Sequence, residues 1–329
     1  MEAFKAYRIF SENERVAGRI VEARLEELSP GDVVFRAEYS SVNFKDALAA
    51  TGAGRIIRGF PRIGGIDAAG KVVSSSDARF KAGEAVICTS YDFGVGHDGG
   101  YSQYCRVPAD WVVSLPAGLS TFEAMALGTA GYTAGLAIEL LEMNGLAPGG
   151  GKVLVNGATG GVATLAIDML ARQGHHVVAL TGKEAEAGFL QGIGASEVML
   201  RQKLEMGTRP LEKALWAAAF DSVGGEQLAW LTRTMQPGGL IASFGNAGGI
   251  ELKTTVLPFI LRGVRLIGVD SALTPMPLRR KIWGRLASDL KPRHLQAIAR
   301  TIELHDLPGY FEAMLKGKVR GRAVVKLSR

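Results

Sequence analysis

Two hydrophobic textures divide the chain. Up to about residue 120, apolar positions come in short, partly alternating runs. Val33-Val34-Phe35-Arg36-Ala37-Glu38-Tyr39 is the clearest, followed by Lys71-Val72-Val73, Ala85-Val86-Ile87-Cys88 and Trp111-Val112-Val113. Alternation rich in β-branched and aromatic residues predicts strands. Pro30-Gly31, Gly64-Gly65, Gly99-Gly100 and Pro108 punctuate them as turns. A short helix is predicted from after Asn43 to near Gly52.

From about residue 122, buried-type strands alternate with helical patterns. Strands are predicted at 152–156, 176–180, 197–200, 219–223, 240–244 and 264–268, with helices at 162–173 and 185–193 between them. Strand-helix alternation at this spacing means a parallel sheet covered on both faces, and right-handed crossovers make it doubly wound. Thr274-Pro275-Met276-Pro277 reads as a turn, 278–290 as a helix and Arg322 to Leu327 as a strand returning to the first domain. The chain is thus read as α/β, with a β-rich domain at 1–121, a doubly wound domain at 122–271 and a returning tail at 272–329.

Composition narrows the classes. A chain of 329 residues exceeds what one core usually supports. The net charge of +6 is not concentrated in a basic run, which argues against nucleic acid. The apolar stretch Ala124 to Leu141 contains Glu139 and glycines and reads as buried helix rather than membrane span. Two cysteines, Cys88 and Cys105, make neither a disulfide framework nor a multi-cysteine zinc site, and both read as packing residues. With no apolar leader pattern at Met1 to Gly18, a cytoplasmic location is expected.

The sharpest feature is Val155-Asn156-Gly157-Ala158-Thr159-Gly160-Gly161-Val162-Ala163, between a predicted strand and a predicted helix. A helix N-terminus offers unpaired N–H groups, and Gly160 and Gly161 lack the Cβ that would keep a pyrophosphate away. At the tip of the next strand an NAD site places an acid for the ribose 2′-hydroxyl. Here the residues are Leu180-Thr181-Gly182-Lys183. No carboxylate repels a 2′-phosphate there, and Lys183, Arg201, the Thr181 hydroxyl and the Gly182 N–H suit one. NADPH is therefore expected over NADH. A solvated surface lysine is the alternative for Lys183.

These residues, with Ser40 to Leu48, Gly65 to Gly70, Gly128 to Ala134, Thr255 to Arg262 and Gly268 to Ser271, resemble the medium-chain dehydrogenase/reductase superfamily. The branch is that of quinone oxidoreductases, within it the NADPH-dependent acrylyl-CoA reductase subgroup. The resemblance implies a GroES-like catalytic domain, a Rossmann domain and a homodimer. It implies cofactor contacts at Phe44, Thr159, Gly160, Gly161, Val162, Thr181, Gly182, Lys183, Arg201, Asn246, Ile260, Ser271 and Gly317. Phe44 stands where the family has tyrosine, Asn246 for an apolar residue and Gly317 for asparagine. Zinc-dependent relatives bind metal through cysteine and a Gly-His-Glu segment. Asn43 and Gly65-Ile66-Asp67 stand there instead, a poor zinc donor set, and no metal is expected.

A metal-free reductase of an activated C=C needs a hydride, hydrogen-bond donors for the enolate oxygen and a proton for the α-carbon. Asn43 is open to two roles, a polar active-site group or the N-cap of the following helix. Lys45 and Asp46 either orient each other or the cofactor, or form a solvated pair. Asp67 reads as a structural acceptor and Tyr101 as core. Arg55, Arg58 and Arg62, spaced by apolar residues, form either a receiver for coenzyme A phosphates or a solvated basic loop. The leading function is reduction of acrylyl-CoA to propionyl-CoA by NADPH. Reduction of quinones or small enones is the alternative, and a non-enzymatic NADPH-binding protein is the alternative of another class.

Overall fold

Chain segments sort into two units in the computed structural model, which describes residues 3–13 and 15–327. One unit combines Met1–Ala130, Ala272–Ala287 and Ala299–Arg329; the other combines Gly131–Ser271 and Ser288–Ile298.

The first unit is built on a seven-stranded sheet. Its path runs Ala299–Glu303, Arg322–Lys326, Val33–Ser41, Asp67–Ser75, Ala85–Thr89, Val112–Ser114, with Tyr104–Val107 also paired to Val33–Ser41. The strand near the end of the chain therefore sits inside this sheet. Val324 lies opposite Ser41 and Lys326 opposite Tyr39. A smaller sheet orders Arg15–Ala23, Phe4–Glu12 and Arg62–Ile63. Alternation holds in part along the strand Val33–Ser41: Val33, Val34, Phe35 and Ala37 are buried while Arg36 is exposed. Cys88 and Cys105 lie in the core, and burial pushes both thiols up.

The second unit carries six parallel strands in the order Glu197–Leu200, His176–Thr181, Lys152–Val155, Trp216–Asp221, Met235–Ser243, Arg265–Gly268. In sequence rank this is 3-2-1-4-5-6, the doubly wound order whose direction reverses between the first and fourth strands. Val153, Leu154 and Val155 are all fully buried, as expected for a strand covered on both faces.

The helix Thr121–Glu142 is long and apolar enough to cross a membrane, but 89% of its apolar window is buried within the protein. It is two helices meeting at Gly128, whose φ of 52° and ψ of −156° are not helical. Elements absent from the sequence reading are mostly polar or short. The hairpin strand Arg15–Ala23 exposes most of its residues, and the helices Gly225–Thr234, Leu257–Arg262 and Leu307–Leu315 begin at Gly or beside Pro. The helix expected at 278–290 runs Met276–Leu286 instead. Pro277 falls in its first turn, where the missing N–H costs nothing.

Candidate functional site

In the second unit, the strand Lys152–Val155 delivers the chain into the glycine turn, and the helix Gly161–Arg172 leaves it with Gly160 as N-cap. The tightest position is Gly157, which the sequence reading had not singled out. Its φ is +57°, and a Cβ there would lie 2.4 Å from the Ser222 Oγ. Asn156 secures the turn: its Nδ2 donates to Asp221 Oδ1 at 2.6 Å and its Oδ1 accepts the Ser222 N–H at 2.8 Å. Asp221 is fully buried and also accepts the N–H groups of Val223 and Gly224. Asn156, Asp221 and Ser222 thus shape the cradle without a motif of their own.

The tip of His176–Thr181 lies beside the end of Glu197–Leu200, with Thr181 opposite Leu200. Thr181 is buried and its Oγ1 accepts the Lys183 N–H at 3.0 Å. The exposed Arg201 folds against Gly182, where a Cβ would meet its Nη2 at 3.0 Å, and Gln202 donates to the Gly182 carbonyl at 2.8 Å. Gly182, Lys183 and Arg201 are thereby brought together as a corner with cationic groups and no acid at the strand tip. A 2′-phosphate fits this corner and a pyrophosphate fits the cradle, so the residues present suit NADPH.

The other positions carried over are more dispersed. Ser271 is half-buried and accepts from the Thr133 hydroxyl at 2.8 Å. Asn246 and Ile260 are exposed. Phe44 and Gly317 belong to the first unit. Gly317 has φ +66° and closes a helix, with its own N–H bonded to Met314 O and the Lys318 N–H to Ala313 O. Asparagine is the other residue that readily takes this left-handed conformation, so the departure at 317 keeps the same backbone.

The first unit holds a buried polar cluster centred on Asp67, which is fully buried. Its carboxylate accepts from Ser41 Oγ (2.6 Å), Asn43 Nδ2 (2.8 Å), Thr129 N (2.9 Å) and Thr129 Oγ1 (2.5 Å). Arg322, 2% exposed, lies 3.9 Å from it and donates to Ser41 Oγ, Asn43 Oδ1 and the carbonyls of Val42 and Ala126. Asn43 stands at the N-cap of the helix Phe44–Thr51, and its amide spans Asp67 and Arg322. The N-cap position of Asn43 is thus occupied as one of its two readings expects, while its amide is held within the buried cluster. Gly128 completes the cluster: a Cβ would come within 2.5 Å of Asp67 Oδ2 and 2.6 Å of Ser41 Oγ. Gly128→Ala is expected to destabilise this unit by about 2–5 kcal/mol, combining strain and overpacking; chemical denaturation checks it.

Asp46 corrects one expectation. It is 2% exposed rather than half of a solvated pair, and it accepts the N–H groups of Asn43 (2.8 Å) and Ile66 (3.0 Å). Among the described residues no ion pair joins it to Lys45, which is half-buried. Burial, then the neighbouring Asp67 charge, pushes Asp46 up to about 7. A raised carboxyl binds its proton more tightly in the folded state. Its stabilising contribution is present below the unfolded value of about 3.9 and is lost as pH rises through about 7. Asp46→Asn should therefore gain stability relative to the parent between pH 5 and pH 8; denaturant titrations at both values test this.

The arginine loop divides. Arg62 donates to Ser29 Oγ at 2.9 Å and lies 3.7 Å from Asp98, with its side chain largely buried. Arg58 is exposed but paired to Asp92 at 2.9 Å, and Arg55 is exposed. Arg62 is thus a structural residue, which leaves Arg55 and Arg58 at the surface. Tyr101 is fully buried core, its hydroxyl donating to Ser41 O. Ser41, Thr129 and Arg322 were not anticipated as members of any site.

Residues 29–117 match the family model described as the alcohol dehydrogenase GroES-like domain. Over 318 residues, 96% of each chain, the sequence is 45% identical to the acrylyl-CoA reductase AcuI of Ruegeria pomeroyi. YhfP of Bacillus subtilis, which carries a provisional quinone oxidoreductase name, is 49% identical over 92% of each chain. A crystal structure of yhfP with NAD bound superposes with a TM-score of 0.97, covering 99% of this chain and 100% of that one. The yhdH oxidoreductase of Salmonella enterica in complex with NADP is 44% identical, with a TM-score of 0.96 over 98% of this chain and 100% of that one.

Proposed function

We propose, from the premise that the chain belongs to the medium-chain dehydrogenase/reductase superfamily, in its acrylyl-CoA reductase and quinone oxidoreductase branch, that it reduces an activated C=C bond with NADPH. The preferred reaction in this reading is acrylyl-CoA to propionyl-CoA. The observation that carries it is the Gly182–Lys183–Arg201 corner, in a chain akin over nearly its whole length to a named acrylyl-CoA reductase. NADPH, when bound, supplies the hydride that goes to the β-carbon. The chain itself must then hold the enolate oxygen and bring a proton to the α-carbon. Asn43 and Asp46 position the turn from which Lys45 projects, and Lys45 offers an ammonium donor to the developing negative charge.

The decisive assay is NADPH consumption with acrylyl-CoA and a benzoquinone side by side, repeated with NADH. A much higher kcat/KM for the thioester with NADPH is expected. Turnover of the quinone alone would move the chain to the reading that the YhfP name favours, and tight NADPH binding with no turnover would leave a binding protein. Two further parts of the reading have their own tests. Arg55 and Arg58 receive coenzyme A phosphates, so replacing both with alanine should raise KM for the thioester about tenfold while KM for NADPH stays put.

The chain acts as a homodimer in the cytoplasm. The strand Arg265–Gly268 ends the parallel sheet, and Val256, Ile260 and Leu261, which precede it in the chain, are each more than half exposed. An uncovered parallel edge preceded by exposed apolar residues suits a second copy. Val256→Glu with Leu261→Glu should yield monomers by sedimentation.

A further inference from the structure

Parallel pairing sets Thr181 opposite Leu200, so residues 182 and 201 leave the sheet side by side at the carboxyl ends of their strands. Beyond Leu200 the chain closes at once into the short turn Arg201–Lys203, with the Leu204 N–H on Arg201 O at 3.1 Å. That turn brings two side chains back onto Gly182. The Arg201 guanidinium lies across it: a Cβ at 182 would stand 3.0 Å from Nη2, 3.2 Å from Cζ and 3.4 Å from Nε. The Gln202 amide donates to the Gly182 carbonyl at 2.8 Å. The N–H of the same peptide, that of Lys183, donates to Thr181 Oγ1 at 3.0 Å. The Gly182–Lys183 peptide is thus pinned at both of its polar ends.

Gly182 is not among the residues with positive φ, so its backbone is open to any L-residue. Nothing about the turn itself asks for glycine. The guanidinium does: the three atoms that a methyl at 182 would meet first all belong to Arg201. They are the far end of an exposed, flexible side chain. A larger residue at 182 would therefore cost the fold little and would cost the guanidinium its place. Among the described residues no carboxylate or carbonyl holds the Arg201 guanidinium instead. An exposed arginine gives up rotamer freedom when it binds, and a group held in place beforehand gives up less. Gly182 and Gln202 together make such a seat.

We propose that Gly182 and Gln202 set the choice between NADPH and NADH by keeping the Arg201 guanidinium in place for a 2′-phosphate. Gly182 leaves the room, and Gln202, a positioning residue, fixes the peptide beneath. The proposal rests on the reading of NADPH as the cofactor. The test is fluorescence titration of the full chain with NADPH and with NADH. It needs no acceptor, so it stands apart from which compound is reduced. Gly182→Val should lower the NADPH-to-NADH affinity ratio by about 10-fold or more, the worth of a charge-assisted hydrogen bond, and Gly182→Ala by less. Gln202→Met, which keeps the length and loses the donor, should lower it by about threefold. Melting temperatures should stay close to the parent's. In an Arg201→Ala background, Gly182→Val and Gln202→Met should leave the ratio where Arg201→Ala alone puts it, because groups that act through one another are not additive. A merely structural role would weaken both nucleotides alike. Unchanged ratios in the single variants, or full additive losses in the Arg201→Ala background, would overturn the proposal. A parent that binds both nucleotides equally would overturn the NADPH reading and the seat with it. A parent that prefers NADPH, with variants that keep the preference, would sink the seat alone.

Discussion

Arg201→Glu is expected to lower kcat/KM for NADPH by about 100-fold while leaving that for NADH nearly unchanged. A charge-assisted hydrogen bond contributes about 1.5–3 kcal/mol, and each 1.4 kcal/mol is about tenfold. Loss of the guanidinium alone therefore accounts for about 10- to 100-fold, and the introduced carboxylate adds repulsion against a 2′-phosphate. Arg201 is exposed and its guanidinium rests on Gly182, so the fold should survive the change. Steady-state kinetics with both nucleotides measures it. An equal loss with NADPH and NADH would mean that the corner does not read the 2′ position.

Asp67→Asn is expected to be the most damaging single change to the first unit. Four donors converge on the Asp67 carboxylate, and the buried Arg322 has it as a nearby counter-charge. An amide replaces one acceptor oxygen with a donor that faces other donors. Breaking a buried ion pair from one side costs about 3–5 kcal/mol, because the remaining charge is stranded. A transition lowered by roughly 10 °C in calorimetry is the corresponding thermal effect. Adding Arg322→Met should recover part of the loss, since removing both charges is far less costly than removing one. No recovery would show that the hydrogen bonds, rather than the charge balance, carry the cost.

The second unit was legible because its determinants are local. Lys152–Val155, the glycine turn and Gly161–Arg172 are consecutive, and each strand announces itself by a continuous apolar run. The phosphate corner was half legible: Thr181, Gly182 and Lys183 are adjacent, and Arg201 sits just after the next strand. The Asp67 cluster was mostly hidden. Asn43 and Asp46 stood out in a motif, but Ser41 and Arg322 are 281 residues apart, and Arg322 looked like one alternating position of a strand. Of the two readings open to Lys45 and Asp46, the solvated pair fails for a physical reason. Adjacent opposite charges suggest a solvated pair, yet Asp46 turns inward because its carboxylate closes on the Asn43 N–H. Gly128 stood in a segment that carries the family resemblance, but a glycine inside an apolar run says nothing of the side chains it must clear.

The place of Arg322–Lys326 inside the first unit's sheet has a consequence for biosynthesis. A ribosome releases Val33–Ser41, Asp67 and Asn43 early, but their partner strand and the Arg322 guanidinium emerge only after the whole six-stranded unit has been made. For most of translation, then, the nascent chain carries a buried-type carboxylate without its counter-charge and an open strand edge, the kind of surface that chaperones cover. Ribosome-stalled chains ending before residue 322 should be protease-sensitive in the first unit while the second is already resistant, so a message cut short yields a nucleotide-binding fragment and never a partly working enzyme.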